Sequence, residues 1–453
     1  MQNLLGDTIC ALSTPAGIGG IAVIRVSGPD TFSIVDKVLD RSIAKSQAYQ
    51  AHFARLLDHE QVIDEVVAVV FKGPHSYTGQ DTIEISVHGS LYIQQRSLEL
   101  LQRAGARLAT PGEYTMRAYL NGKMDLSQAE AVADLIAVES EAGHRQAMHQ
   151  MRGGFSKQIN ALREQLIEFA SLIELELDFG EEDVEFADRS RLSTLLSEIE
   201  KVVIHLIDSF ALGNAIKNGI PVAILGPPNA GKSTLLNALL NEDRAIVSPI
   251  AGTTRDTVED HINIAGVRFN FIDTAGIRAT NDEIEQLGIA RSFAKAKSAQ
   301  VILLLCDATT TSAKDYQTFE KEVLSESGVS QIIIRVINKM DQVADRLWGD
   351  DCVYISAKQG VGIDELKVKI AELTQVSAIK SSNTIVTNAR HHRALCQALT
   401  CLQEIQLGMN NGVTADFLAV DIRKTLYHLG EIVGQVQADD LLNSIFSKFC
   451  IGK

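Results

Sequence analysis

Gly226-Pro227-Pro228-Asn229-Ala230-Gly231-Lys232-Ser233 has the form G-x-x-x-x-G-K-[ST]. It lies between an apolar run that reads as a strand (Ile220-Pro221-Val222-Ala223-Ile224-Leu225) and one that reads as a helix (Thr234-Leu235-Leu236-Asn237-Ala238-Leu239-Leu240). Strand, glycine-rich loop and helix in that order build a phosphate-binding P-loop. The glycines let backbone N–H groups turn inward onto phosphate oxygens, and the helix N-terminus adds positive partial charge. Lys232 is placed to reach the β- and γ-phosphates, and the Ser233 hydroxyl to ligate Mg²⁺. The bland alternative is a glycine-rich strand-to-helix turn, and the residues beyond Ser233 decide between the two.

Four further segments stand downstream in the order a GTPase requires. Gly252-Thr253-Thr254-Arg255-Asp256 is a polar stretch able to supply a threonine to Mg²⁺. Asp273-Thr274-Ala275-Gly276 ends an apolar run; its Asp can hold Mg²⁺ through water and the Gly276 N–H can meet the γ-phosphate. Asn338-Lys339-Met340-Asp341 comes after a strand-like run, and the Asp341 carboxylate can accept both the ring N–H and the exocyclic amine of guanine, a donor pair adenine lacks. Ser356-Ala357-Lys358 closes over the base. Each segment is common alone; together, mostly at strand ends, they resemble the Ras-like G domains of the translation-factor class. Ile277 departs from Ras, where a glutamine orients the attacking water. Isoleucine has no polar group, so another residue must position the water and another charge must offset the transition state.

Asn229, the 252–256 run, Asp273-Thr274-Ala275-Gly276, the ending Phe449-Cys450-Ile451-Gly452-Lys453 and the segment Thr14-Pro15-Ala16-Gly17-Ile18-Gly19-Gly20 together resemble the MnmE (TrmE) family of bacterial tRNA-modification GTPases. The resemblance spans the whole chain. It implies that K⁺ takes the place of an arginine finger, held by Asn229, the Ser248 and Ile250 carbonyls and Thr253. Thr254 then joins Ser233 on Mg²⁺, and Glu285 orients the water. A monovalent cation over the phosphates neutralises developing charge as a guanidinium does, and oxygen ligands suit it. By its residues alone Glu285 is one of several acids on a solvated helix face, and Arg255 and Arg278 read as surface ion-pair residues. The nucleotide contacts implied are Asn229, Ala230, Gly231, Lys232, Ser233, Thr234, Ser248, Pro249, Ile250, Ala251, Gly252, Thr253, Thr254, Asp273, Thr274, Ala275, Gly276, Asn338, Lys339, Asp341, Ser356, Ala357 and Lys358, with Lys232 and Glu285 catalytic.

Bulk properties narrow the rest. A chain of 453 residues exceeds one ordinary core, and at 45% hydrophobic residues each domain can bury its own. No apolar run approaches the roughly 20 residues of a membrane span, and residues 1–7 lack the pattern of an export signal. Six scattered cysteines without a C-x-x-C pair argue against a disulfide framework or zinc site. A cytoplasmic protein is expected. A net charge of −15 excludes a protein whose whole surface grips nucleic acid, leaving tRNA contact to a local patch or a partner. The resemblance implies that this partner is the FAD-containing MnmG (GidA).

The expected fold is multidomain α/β. Residues 1–121 read as an α+β domain with strands at 8–13, 21–26, 65–71 and 82–87 and helices at 31–39 and 93–104. Residues 122–217 are helical, with a capping start at Ser127-Gln128-Ala129-Glu130 and further helices at 155–178 and 191–217. The acidic run 178–185 reads as a solvated turn. Residues 218–377 form the P-loop G domain. Helical texture returns over 378–453, at 390–407, 416–429 and 435–446. Either one helical domain is interrupted by the G domain, or two helical domains stand apart; the family has the inserted arrangement.

Gly17, Gly19 and Gly20 precede a strand rather than a helix, so they read as a turn and not as a dinucleotide fingerprint. The resemblance implies an N-terminal domain that binds 5-formyl-tetrahydrofolate or a related folate through Arg25, Glu84, Lys123 and Lys453. It also implies a homodimer held by these domains, and a catalytic thiol at Cys450 docked near the folate. Taken singly these are surface charges and a small near-terminal residue. Ile18 stands where many relatives carry arginine. The function implied is formation of 5-carboxymethylaminomethyl or aminomethyl uridine at the tRNA wobble position. The rival is a ribosome-assembly or RNA-binding GTPase switch, which would carry a basic appendage that this sequence lacks.

Overall fold

The computed structural model describes residues 6–178, 189–243, 260–272, 297–326, 331–343, 351–374, 384–435, 442, 445–447, 449 and 451–452. It divides into two units: Met1–Ile136 with Gln150–Ile199 and Gln397–Lys453, and Ala137–His149 with Glu200–Cys396.

The first unit holds a sheet of β1 (Ile9–Leu12), β2 (Ile21–Ser27), β3 (Ala51–Asp58), β4 (Gln61–Phe71), β5 (Thr82–His88) and β6 (Arg107–Leu108), ordered β3-β4-β5-β2-β1-β6. All pairs are antiparallel except β1 with β6. In β4, Asp64, Val66, Ala68 and Val70 point inward and their neighbours outward, the period-two pattern of a strand with one buried face. Helices α1 (Thr31–Val35) and α2 (Leu91–Ala104) flank this core. Gln94, Ser97 and Leu101 lie on one buried face of α2, and Gly105, at φ 122, stops the helix.

The two-residue β6 is not among the expected strands, and two longer elements escape the sequence patterns as well. β3 does because its outward Phe53 is 59% exposed and blurs the alternation around Ala54 and Leu56. Helix α3 (Glu113–Leu120) does because Glu113 through Tyr119 are all buried, so no amphipathic stripe exists. The glycines before β2 lie in a bent segment, where the Gly19 N–H donates to Gly89 O at 3.1 Å.

Helix α4 (Leu126–Ala137) corrects the expected cap. Asp125 and Gln128 exchange hydrogen bonds, each backbone N–H donating to the other's side chain at 2.9 Å. The capping box therefore sits two residues earlier than Ser127, which is buried and receives the Gln150 amide. The helical run to Met151 also splits, with α5 (Glu141–Met151) beginning after Ser140, whose hydroxyl accepts the Gly143 N–H at 3.2 Å.

Helix α6 (Gly154–Asp178) buries Phe155, Ile159, Leu162, Leu166, Phe169 and Ile173 at alternating spacings of four and three. The C-terminal helix of Ala415–Val433 buries Leu418, Ile422, Thr425, Leu429 and Ile432 in the same rhythm, and the two pack along their lengths. Segments on opposite sides of the nucleotide-binding block thus share one seam. The run expected at 191–217 is α7 (Arg189–Asp208) and α8 (Phe210–Asn218), divided at Ser209, whose hydroxyl donates to Leu206 O and accepts the Val386 N–H.

The second unit carries β7 (Ile220–Leu225), α9 (Lys232–Asp243), β8 (Asp260–Ile264), β9 (Val267–Phe271), β10 (Val301–Asp307), α10 (Ala313–Glu326), β11 (Ile332–Asn338), β12 (Cys352–Tyr354) and α11 (Ile363–Leu373). Its sheet order is β12-β11-β10-β7-β9-β8, parallel except for β8. β10 is buried at every residue, as a central parallel strand covered on both faces must be. Later in the chain come α12 (Ala389–Asn410) and the C-terminal helix α13 (Ala415–Val433). Among the described residues, no helix is long and apolar enough to cross a membrane. The acidic run 179–185 lies outside the described residues.

Candidate functional site: a nucleotide pocket and a docked C-terminal segment

In an open parallel sheet, ligands bind beyond the carboxyl ends of the strands where the strand order reverses. Here that point lies between β7 and β10. The loop 226–231 leaves β7 and enters α9 there. A Cβ on Gly226 would stand 2.4 Å from Leu305 O, and one on Gly231, at φ 95, would stand 2.3 Å from Asn338 Nδ2. Both glycines are required by space, and Gly231 also by conformation. Asn229 takes left-handed backbone (φ 57) at the exposed tip of the loop, a state asparagine tolerates better than most residues. Lys232 Nζ donates to Gly226 O and Pro227 O at 2.9 and 3.0 Å. Ser233 and Thr234 stand in the first turn of α9.

Asn338, at the end of β11, ties three motifs together. Its Nδ2 donates to Ala230 O at 2.9 Å, and its Oδ1 accepts the Ala357 N–H at 3.0 Å. Asn338 is 3% exposed, so both bonds lie out of water. Lys339 adopts φ 67 and pairs through Nζ with Asp307 Oδ2 at 2.5 Å. Burial raises the Asp307 carboxyl, but the bond from Lys339 and two from Thr309 outweigh it and hold the group below its usual range. Asp341 is exposed, and the Ser356 hydroxyl donates to its Oδ1 at 2.7 Å; that bond keeps the carboxyl ionised below the usual range against a smaller desolvation. Lys358 is exposed beside them. Asp307 was missed by motif reading. Its signal was an acid closing the apolar run Val301–Asp307, at the same end of the sheet as Asn338.

The glycine cradle and the helix start fit a triphosphate, and the Asp341 carboxylate fits a guanine edge. Ser233 supplies a hydroxyl suited to Mg²⁺ and Asn229 an amide oxygen suited to K⁺. Ser248, Pro249, Ile250, Ala251, Gly252, Thr253, Thr254, Asp273, Thr274, Ala275, Gly276 and Glu285 lie outside the described residues, as do Arg255, Ile277, Arg278, Cys450 and Lys453. No group of three or more His, Cys, Asp or Glu side chains able to hold a metal occurs among the described residues.

In the first unit, Arg25 and Glu84 face each other across β2 and β5. Arg25 Nε and Nη2 lie 2.9 and 2.8 Å from Glu84 Oε1. The Arg25 guanidinium sits 5.5 Å from the ring centroids of both Tyr77 and Tyr114. Gly452 lies against β1 at φ 97; a Cβ there would meet Leu12 O at 2.2 Å, and its carbonyl accepts a long bond from Arg25 Nη1 at 3.4 Å. Leu442, Phe446 and Phe449 pack with Met116, Tyr119 and Leu126. The segment before Gly452 is thereby anchored on α3 and α4 beside Arg25. Lys123 Nζ donates to Pro74 O at 2.8 Å. The two tyrosines around Arg25 carried no sequence motif; only the folded sheet collects them.

Comparison with known proteins agrees with this arrangement. Residues 8–123 match the model of the GTP-binding protein TrmE N-terminus, and residues 126–450 that of the MnmE helical domain. A protein of Christiangramia forsetii, named tRNA modification GTPase MnmE, is 50% identical over 99% of this chain and 100% of its own. Its namesake in Cytophaga hutchinsonii is 51% identical over 99% of this chain and 98% of its own.

The chain belongs to the MnmE family of tRNA modification GTPases.

Among solved structures, Era in complex with MgGDPNP and nucleotides of 16S ribosomal RNA is 33% identical, covering 34% of this chain and 55% of that one at a TM-score of 0.25. The G domain of the T. maritima FeoB iron transporter is 26% identical, covering 34% and 98% at 0.26. The assignment to the MnmE family rests on the family models and full-length relatives, and the G-domain fold on the strand order β12-β11-β10-β7-β9-β8.

Proposed function

We propose that this chain is a K⁺-activated GTPase that acts on tRNA in the cytoplasm. With an FAD-containing partner of the MnmG kind, it helps form 5-carboxymethylaminomethyl or aminomethyl uridine at the wobble position, using a folate one-carbon unit. The observation that carries the GTPase reading is the convergence of Ala230, Asn338, Asp341 and Ser356 at the switch point, joined by the two buried bonds of Asn338. In the working pocket, Lys232 turns from its own loop carbonyls to the β- and γ-phosphates. Asp341 accepts the two guanine N–H groups, with Ser356, Ala357 and Lys358 around the base. Ser233 and Thr254 hold Mg²⁺, while Asp273, Thr274, Ala275 and Gly276 border the γ-phosphate. Asn229, Ser248, Ile250 and Thr253 hold K⁺, which when bound supplies positive charge where a finger arginine would. Glu285 orients the water in place of the glutamine that Ile277 replaces. GTP turnover is expected to be at least about tenfold faster in K⁺ than in Na⁺ at equal ionic strength. Equal rates would remove Asn229 from this role.

The N-terminal reading is supported by the Arg25–Glu84 pair, the aromatic walls beside it and the docking of Gly452. Arginine and lysine suit the carboxylates of a folate's glutamate tail, and a glutamate suits the donor edge of a pterin. Lys123 and Lys453 complete the set, and Cys450, between Phe449 and Ile451 in the sequence, is the proposed thiol of the one-carbon transfer. The domain plan proposed is 1–121 for folate binding and homodimer formation, and 122–217 with 378–453 as one helical domain into which the G domain, 218–377, is inserted. The packing of α6 on α13 supports the insertion. Nucleoside analysis of tRNA from cells lacking the protein tests the whole: C5-substituted wobble uridine should disappear, and its persistence would leave a GTPase without this modification.

A further inference from the structure

The turn between β8 and β9 is where helix α5 meets the nucleotide-binding sheet. Ala265 and Gly266 both take left-handed backbone (φ 52 and 81), the two-residue turn whose twist matches its strands. The Ala142 N–H of α5 donates to Gly266 O at 3.0 Å, and Ala142 is buried in the core of that sheet. Glu139, just before α5, reaches back to the strand. Its Oε2 lies 2.5 Å from Arg268 Nη1 and 3.7 Å from His261 Nε2. Arg268 Nε in turn donates to Asn270 Oδ1 at 2.7 Å, and Asn270 Nδ2 donates to Asn218 O, at the end of α8, at 2.9 Å. Arg268 and Asn270 alternate with the buried Val267, Phe269 and Phe271, so their side chains share the outer face of β9.

The hairpin's place in the chain gives this contact its meaning. β8 begins at Asp260, just after the stretch that carries Thr253 and Thr254, and β9 ends at Phe271, two residues before Asp273. The two strands pair in unbroken register from Asp260↔Phe271 to Ile264↔Val267, so the hairpin moves as one piece. A nucleotide-dependent shift of the strand ends would be carried to the turn. An ion pair as open as Glu139–Arg268, with side chains 53% and 27% exposed, adds little to stability. Its effect is on position. α5 follows α4 and precedes α6 in the chain.

We infer that the Glu139–Arg268–Asn270 link, with the Ala142–Gly266 hydrogen bond, is the positioning contact that passes the nucleotide-dependent position of the β8–β9 hairpin to helix α5. None of these residues belongs to the nucleotide motifs. The inference rests on the GTPase reading, but not on tRNA being the substrate. Coupling of this kind requires an element with two arrangements that both sites bias.

Amide hydrogen exchange of residues 139–146 in the full chain, with GDP and then with a non-hydrolysable GTP analogue, reads the coupling directly. In the natural protein the two nucleotides should give exchange rates that differ by about fivefold or more. Glu139→Gln and Arg268→Gln should each abolish most of that difference, and the double variant should lose no more than either single one, because all three break one contact. GDP affinity should not change. No nucleotide dependence in the natural protein, or undiminished dependence in the single variants, would overturn the inference. So would losses that add in the double variant, or a parallel fall in GDP affinity, which would place the pair in the pocket itself. The exchange arm contains no tRNA, so absence of tRNA modification would leave its outcome readable.

Discussion

Asp341→Asn is expected to lower the affinity for GTP by about a hundredfold or more while raising that for xanthosine triphosphate. In the proposed pocket the carboxylate offers two acceptors to the two N–H groups on one edge of guanine. Asparagine offers one acceptor and one N–H donor, so the donor faces the exocyclic amine and one guanine group is left unpaired out of water, which costs far more than a lost contact. Xanthine carries an oxygen where guanine carries that amine, and so matches asparagine. The Ser356 hydroxyl, which donates to Asp341 Oδ1, remains satisfied by the amide oxygen of the variant. The pocket should therefore stay folded and change only its preference. Equilibrium titration with GDP and xanthosine diphosphate checks this. Equal loss for both would mean that Asp341 supports the loop and does not read the base.

Glu113→Ala is expected to destabilise the N-terminal sheet by about 3–5 kcal/mol. Glu113 and Arg117 both have 0% side-chain exposure. Glu113 accepts from Arg107 at 2.6 and 3.0 Å, from Arg117 at 2.8 Å, and from the Thr110 N–H at 2.9 Å. Asp7 closes the network, 2.5 Å from Arg117 and 2.7 Å from Arg107. Removing Glu113 leaves a buried guanidinium with only the Asp7 carboxylate of the pair that faced it. A pH dependence is expected with it. Burial raises the carboxyls of Glu113 and Asp7, but their arginine bonds, and for Glu113 the Thr110 N–H, outweigh it and hold both below their ordinary values of 4.5 and 3.8. A carboxyl depressed in the folded state contributes stability that is present above its unfolded value and lost as pH falls through its folded value. The natural protein should thus lose stability as pH drops below about 4.5, and the alanine variant should lose less over that range. Hydrogen exchange across residues 107–120 from pH 7 to pH 3 tracks both effects. Unchanged protection in the variant would refute the role of the network.

The chemistry of the nucleotide pocket was legible in the sequence because backbone carries much of it. A strand end, a glycine-rich loop and a helix start show themselves in neighbours along the chain, although what makes Gly226 and Gly231 sterically necessary is the approach of Leu305 and Asn338. The strands of the first sheet showed where one face is buried and the other wet, as in β4. They vanished where the outer face is apolar, as at Phe53 in β3, or where a helix is buried all round, as from Glu113 to Tyr119. The cap of α4 was misplaced because Ser127 is a common capping residue while Asp125 is the one whose carboxylate reaches the first-turn amide.

By itself the sequence determined the P-loop, the Asn338-Lys339-Met340-Asp341 and Ser356-Ala357-Lys358 motifs, and membership of a family of tRNA-modification GTPases, because each rests on short spacings. Only the tertiary structure decided that Asn338 would clasp both Ala230 and Ala357, that Asp307 would hold Lys339, that Gly452 would lie against Leu12 beside Arg25, and that Glu139 would reach Arg268. Those partners stand tens to hundreds of residues apart, and which of them meet is set by strand order and helix packing, which act through burial and carry no local spacing for the sequence to display.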